Sequence, residues 1–277
     1  MIKRAGVEIM NERTKNVAIA KATIEILKQK HYTNLNGEVV DISASLDAAV
    51  DGTVLYQDPL PKKDYMTHSP IIEVTNETTA NAAARLIALG KDVVALNFAS
   101  ARNQGGGFLS GALAQEEALC RCSGLYVCLK RKPVFYNENI LCDDTFYTDN
   151  ILYSPKVPFF RAESYTFLNA PFELSIITAP APNLSSLKQE GLKNKIKAIL
   201  RERSIKILQV AEANGHKNIV LGAWGCGAFG NDPKMVAEAF KLALEKVPSF
   251  EHVTFAVYDT REPPILYETF SEVYRTI

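Results

Sequence analysis

Residues 103–117 read Asn103-Gln104-Gly105-Gly106-Gly107-Phe108-Leu109-Ser110-Gly111-Ala112-Leu113-Ala114-Gln115-Glu116-Glu117. Three consecutive glycines, a seven-residue spacer and Gln-Glu-Glu bring two chemistries into one short segment. Glycine carries no Cβ, so a run of three lets the main chain close on a ligand. Two neighbouring carboxyl groups can exchange protons with a reacting bond. A phosphate-bearing substrate with a cleavable bond is the simplest partner that uses both.

A second glycine cluster, Gly222-Ala223-Trp224-Gly225-Cys226-Gly227-Ala228-Phe229-Gly230-Asn231, runs into Asp232-Pro233. Pro233 suits the first residue of a helix, with Asp232 or Asn231 as its cap. A strand, a glycine-rich turn and a helix N-terminus together predict an anion site, where amide N–H groups converge and the helix dipole adds positive potential. Gly225, Gly227 and Gly230 have Gly-x-Gly-x-x-Gly spacing, which is weak evidence alone. Two such loops at one sheet edge could grip a diphosphate without a cluster of lysines.

These loops need a scaffold. Apolar runs at 70–74, 93–98, 174–178, 218–222 and 253–258 predict strands, and 93–98 is continuous enough to be buried on both faces. Helical patterns cover 77–89, roughly 187–213 and 233–246. Strand and helix in alternation predict an α/β domain with a parallel or mixed sheet, whose ligands bind at the carboxyl ends of the strands. The first glycine loop follows 93–98 and so lies at that end. Residues 1–70 read as an N-terminal extension packed on a main domain over 71–277. It opens with a helix from Glu12 to Lys30, with Val17, Ala20, Ala22, Ile24, Ile26 and Leu27 on its apolar side.

The chain of 277 residues has 31 basic and 31 acidic side chains, a balance that argues against adhesion to duplex nucleic acid. No apolar run approaches the ~20 residues that span a bilayer, and the N-terminus lacks a signal-peptide core. Five cysteines fit a reducing compartment, and a cytoplasmic location is expected. Cys120, Cys122 and Cys128 lack metal-ligand spacing and read as core side chains. Cys226 has no histidine near it in sequence, and His31, His68, His216 and His252 are scattered. No metal site is expected.

The two loops closely resemble those of the bacterial-type poly(ADP-ribose) glycohydrolases, which have the macrodomain fold. Gly105–Gly107, seven residues and Gln115–Glu117 match that family's signature. The likeness extends through Asn97–Asn103, Ser123–Tyr126, Tyr153–Pro158, Ala179–Asn183 and Trp224–Asn231. It implies a three-layer α/β/α macrodomain with a mixed central sheet and a helical N-terminal extension. It implies hydrolysis of the ribose–ribose O-glycosidic bond, releasing terminal ADP-ribose with no cofactor. By the same resemblance Glu117 is the catalytic acid/base and Glu116 positions the substrate. Asn103 hydrogen-bonds the distal ribose, and Phe229 packs on it. The diphosphate is cradled by Gly105, Gly106 and Gly107 and by Gly225, Cys226, Gly227, Ala228, Phe229 and Gly230, with Gln115 and Asn231 in the same binding set. Gln104 stands where the family often has proline, which bears on loop rigidity.

Glycoside cleavage ordinarily uses two carboxyls opposed across the bond at about 5–9.5 Å. Neighbours in sequence diverge by about 100° on a helix, so Glu116 and Glu117 suit a one-carboxylate scheme better. One acid protonates the leaving ribose oxygen, the diphosphate steadies the cation at the anomeric carbon, and the same group then activates water. Such double duty favours a carboxyl raised towards neutrality by partial burial. Acidic residues in a first helical turn also complement the helix dipole without any catalytic role. The expected partner is an ADP-ribose polymer or an ADP-ribosylated protein, with no membrane and no sequence-specific nucleic acid. A hydrolase of single ADP-ribosyl groups and a non-catalytic reader are the alternatives; only the reader can do without Glu117. The extension is expected, by resemblance, to limit cutting to chain ends.

Overall fold

The computed structural model describes residues 11–61, 63–65, 69–142, 144–185 and 192–275. His68 and the start of the helix expected from 187 lie outside them. In chain order the elements are α1 (Glu12–Gln29), β1 (His31–Thr33), β2 (Val39–Asp41), α2 (Ser43–Asp51), β3 (Val54–Tyr56), β4 (Ile71–Thr75), α3 (Thr79–Ala88) and β5 (Val93–Phe98). A short 3-10 turn at Phe108–Ser110 precedes α4 (Gln115–Cys122), α5 (Leu125–Lys130), α6 (Pro133–Leu141), β6 (Ile151–Arg161) and β7 (Phe167–Ala179). The chain closes with α7 (Lys193–Ala213), β8 (Asn218–Leu221), α8 (Pro233–Lys246), β9 (His252–Ala256) and α9 (Ile265–Tyr274).

Seven strands form one mixed sheet in the order β3-β6-β7-β5-β8-β9-β4. β7, β5, β8, β9 and β4 run parallel, while β6 is antiparallel to both β7 and β3. Strand side chains alternate between faces. Val94 and Leu96 of β5 pack with Ile219, Leu221, Val253 and Phe255 beneath α7, α8 and α9. Val93 and Ala95 pack with Ile176 and Val220 against Leu86 of α3, Leu119 of α4, Cys128 of α5 and Phe135 of α6. Helices therefore cover both faces, giving the three layers expected from the sequence.

β3, within the 1–70 segment, pairs antiparallel with β6 (Val54↔Tyr153), so that segment and the 71–277 core share one sheet. α1 begins where Asn11 Oδ1 accepts the Thr14 amide at 2.9 Å. It buries Ala20, Ile26 and Leu27 together with the polar Asn16 and Thr23, while Ala22, expected on that face, is exposed. Arg13 Nε donates to Ser110 O at 2.9 Å, which docks α1 on the turn between the glycine run and α4.

Candidate active site

A cavity of about 620 Å³ opens at the carboxyl ends of the parallel strands. Phe98 of β5, Ala181 after β7, Ala223 after β8 and Val257 after β9 all line it, as the rule for open α/β sheets requires. The first turn of α4 forms one wall, with Gln115, Glu116 and Glu117, and Gly225, Gly227, Ala228 and Phe229 form another.

Glu117 is buried, and its Oε1 accepts the Gly107 amide at 2.7 Å. Its Oε2 is also buried and has no hydrogen-bond partner among the described residues. One oxygen is thus anchored by the main chain, and the other has no partner among the described residues. Glu116 is buried deeper still. Its Oε2 accepts Ser100 N at 2.8 Å and its Oε1 accepts Asn97 Nδ2 at 3.1 Å. Burial pushes its carboxyl up to about 8; the two hydrogen bonds oppose that shift and the neighbouring Glu117 charge adds to it. Glu116 is thus held against the end of β5.

The glycine run, expected at the diphosphate, packs closely round the two acids. Gly106 sits at φ +57, and a Cβ there would collide with Glu117 Oε1 and stand 3.1 Å from Glu116 Oε2. Both carboxyls therefore reach one glycine instead of diverging. A Cβ at Gly105 would press on Tyr126 and Cys120, and one at Gly107 on Ala112. None of the three glycines lines the cavity. The Gly106 amide donates to Asn103 O at 3.0 Å and the Gly107 amide to Glu117, so neither is spare for a diphosphate. The run lets the loop close on its own acids.

The second loop matches an anion cradle better. Among the described residues the amides of Gly225, Gly227, Ala228 and Phe229 have no protein acceptor, whereas those of Cys226, Gly230 and Asn231 bond within the loop. The first-turn amides of α8 that were expected to hold the anion are taken by the Asp232 cap, which accepts Lys234 N at 2.9 Å and Met235 N at 3.4 Å. α4, in contrast, starts without a side-chain cap, and its first turn faces the cavity.

Two members of the expected binding set prove to be braces. Gln115 lines the cavity, but its Oε1 accepts Phe98 N at 2.8 Å and its Nε2 donates to Leu96 O at 2.7 Å and Thr79 Oγ1 at 3.0 Å. Its amide sews α4 onto the end of β5. Asn231 is buried and lies outside the lining; its Nδ2 donates to Pro182 O at 2.8 Å and Gly225 O at 3.0 Å, stapling the loop shut. Cys226 and Gly230 also lie outside the lining, and burial pushes the Cys226 thiol up to about 12. Asn103 is exposed beyond the lining. Phe229 lines the wall and tilts against Tyr147, with ring centroids 6.1 Å apart.

Asn97, Ser100, Arg121 and Tyr165 belong to the site as well. Their partners lie 9 to 98 residues away in sequence, so spacing carried no signal of them. Among the described residues no group of three His, Cys, Asp or Glu side chains could hold a metal ion.

Known proteins resemble this chain in sequence and in fold. The family model for microbial-type PARG, catalytic domain, matches residues 20–162. The poly(ADP-ribose) glycohydrolase of Thermomonospora curvata is 41% identical, with 95% of this chain and 100% of that one covered at a TM-score of 0.89. Its structure bound to the inhibitor ADP-HPD gives 41% identity over the same shares at 0.87. The Deinococcus radiodurans enzyme in complex with ADP-ribose is 40% identical, covering 84% of this chain and 98% of its own at 0.76. No curated protein matches the chain in sequence. The chain belongs to the microbial-type poly(ADP-ribose) glycohydrolase family.

Proposed function

From that membership we propose that the protein is a poly(ADP-ribose) glycohydrolase, with Glu117 as its acid/base and cleavage confined to polymer ends. The observation that carries the assignment is the pair of Glu117 oxygens, one fixed by Gly107 and one buried without a partner at the cavity wall. Protonated Oε2 gives its proton to the departing ribose oxygen, and the resulting carboxylate then takes one from the attacking water. The diphosphate lies on the free amides of Gly225, Gly227, Ala228 and Phe229, near the uncapped start of α4. The base occupies the end lined by Thr78, Val257, Tyr258 and Leu266, where apolar surface suits a purine. The terminal ribose then falls between Phe229 and Glu117, with Asn103 outside the lining and free to meet it on entry.

Cleavage from the end is supported by α1, which docks through Arg13 on the 108–111 turn beside Glu117. Free thiols at all five cysteines suit a reducing compartment, and we place the enzyme in the cytoplasm on that ground. Among the described residues no helix is long and apolar enough to cross a membrane.

The test is incubation with poly-ADP-ribosylated and mono-ADP-ribosylated protein side by side, with products resolved over time. Free ADP-ribose from the polymer at the earliest times, without shorter oligomers, is the expected result. Early oligomers would remove the end-directed mode. Release from mono-ADP-ribosylated protein alone would identify a narrower hydrolase, and binding without turnover a reader.

A further inference from the structure

Arg121 is 1% exposed, and no carboxylate lies within ion-pair distance of it among the described residues. A guanidinium kept from water without a counter-charge is costly, so the groups it holds are informative. Its Nη1 donates to Ala112 O at 2.8 Å, and its Nε donates to Tyr165 Oη at 2.7 Å. The Tyr165 ring also faces it, with the centroid 5.3 Å from Cζ. Ala112 N donates in turn to Gly107 O at 3.1 Å, and Gly107 N donates to Glu117 Oε1 at 2.7 Å. Glu117 and Arg121 are four residues apart on α4 and share a helix face.

These bonds close a ring. It leaves α4 at Arg121, passes through Ala112 and Gly107, and returns to α4 at Glu117. The ring is braced from outside, because Arg121 O accepts Thr23 Oγ1 of α1 and Arg161 Nη1 of β6, each at 3.0 Å. We propose that Arg121 is a positioning residue for catalysis: it fixes the 107–112 turn, and through Gly107 it fixes the Glu117 carboxyl. The inference rests on Glu117 being the acid/base. Without the guanidinium the turn keeps its main-chain bonds but loses its tether to α4. Glu117 Oε1 then samples other positions, and a misplacement of a fraction of an ångström is felt in the chemical step. The amides proposed to bind the diphosphate lie on the other wall, so ground-state binding is spared.

Arg121→Met, Arg121→Lys and Tyr165→Phe test this with kcat, KM, melting temperature and ADP-ribose affinity by calorimetry. For Arg121→Met the expected result is a kcat about 30–300-fold lower, with KM and Kd changed less than about threefold. Arg121→Lys keeps one donor for Ala112 O and is expected to lose only about 3–10-fold in kcat. In a Glu117→Gln background Arg121→Met is expected to lower the residual rate no further, since both act through one carboxyl. A raised KM at unchanged kcat would overturn the proposal in favour of direct substrate contact. Equal losses in the two backgrounds would overturn it too, as would a fall in kcat that only tracks lost folding. Should Arg121→Met fail to fold, Tyr165→Phe decides: it removes a single hydroxyl, kcat is expected to fall about 3–10-fold at constant KM, and an unchanged kcat refutes the ring. Near-normal turnover by Glu117→Gln alone would sink the reading of Glu117 beneath it. A normal loss there, with any contrary Arg121 result, removes only the present inference.

Discussion

Asn97, near the end of β5, donates through Nδ2 to Glu116 Oε1 at 3.1 Å, while its own Oδ1 is buried without a partner among the described residues. That orphan acceptor sits beside an acid whose burial pushes it up to about 8. A flip of the Asn97 amide would offer Oδ1 to the proton of a neutral Glu116. Below about 4.5, the ordinary value for glutamate, folded and unfolded chains both hold this proton. Between there and about 8 the unfolded chain releases it and the folded one keeps it, so this group's contribution to stability falls as pH rises, then levels off. Glu116→Gln, neutral at every pH and able to donate to a flipped Asn97, is expected to lack that decline. Relative to the parent it should gain roughly 4 kcal/mol between pH 4.5 and pH 8.5 in paired denaturation curves. A difference independent of pH would show that Glu116 is ionised throughout.

Glu117→Gln removes the proton that Oε2 would carry while preserving an oxygen for the Gly107 amide. The expected outcome is a kcat lower by about a thousandfold or more, with ADP-ribose affinity within about tenfold by calorimetry. Binding is expected to survive because its proposed donors are the main-chain amides of Gly225, Gly227, Ala228 and Phe229, none of which belongs to Glu117. A rate close to that of the parent would exclude Glu117 from the chemistry.

Gly106→Ala separates two explanations of the glycine run. Sequence alone suggests that a side chain there would fill the space of the diphosphate. The structure puts the added Cβ onto Glu117 Oε1, at a left-handed φ of +57 that a side chain also resists. The expected result is a loss of about 1–3 kcal/mol in stability and at least about a hundredfold in kcat. Truncating the carboxylate removes the Glu117 clash, so in a Glu117→Ala background the same change should cost less, about 1–2 kcal/mol from backbone strain and the 3.1 Å approach to Glu116 Oε2 that remains. An equal penalty in both backgrounds would mean that the acid is not what Gly106 makes room for.

The parallel strands could be read from the chain because they are buried on both faces: Val93–Phe98, Asn218–Leu221 and His252–Ala256 are runs dominated by apolar residues. β6 could not. It contains Pro155 and Pro158, which argue against a strand, and it survives through a register shift between Ser154 and Val157, with Lys156 at φ 44. β3 is three residues long at the sheet edge, too short to show alternation. In the site, Gln115–Glu117 and both glycine clusters stood out because their types and spacing are unusual. Their division of labour did not, since it depends on which amides find acceptors. Gly106 and Gly107 spend theirs on the loop and on Glu117, whereas Gly227 and Ala228 spend none. Arg121 carries no signal in its own segment, because what sets it apart is its bonds to Ala112 O and Tyr165 Oη.

The second loop offers a paired substitution in which stability and binding part company. Gly225 has φ +74, and a Cβ there would collide with Ala181 and stand 2.5 Å from Asn231 Nδ2, the staple that holds the loop. Among the described residues Gly227 has no atom within 4 Å of an added Cβ, yet it lines the cavity. Gly225→Ala is therefore expected to lose about 2–4 kcal/mol in thermal or chemical denaturation, through backbone strain and the displaced Asn231. Gly227→Ala should stay within about 0.5 kcal/mol of the parent, because nothing inside the protein has to move. In calorimetry with ADP-ribose, however, Gly227→Ala should still weaken binding by about 3–10-fold, as its methyl group enters the space where the diphosphate meets the Gly227 and Ala228 amides. Unchanged affinity at Gly227, with the fold intact, would move the diphosphate off this wall and onto the uncapped first turn of α4.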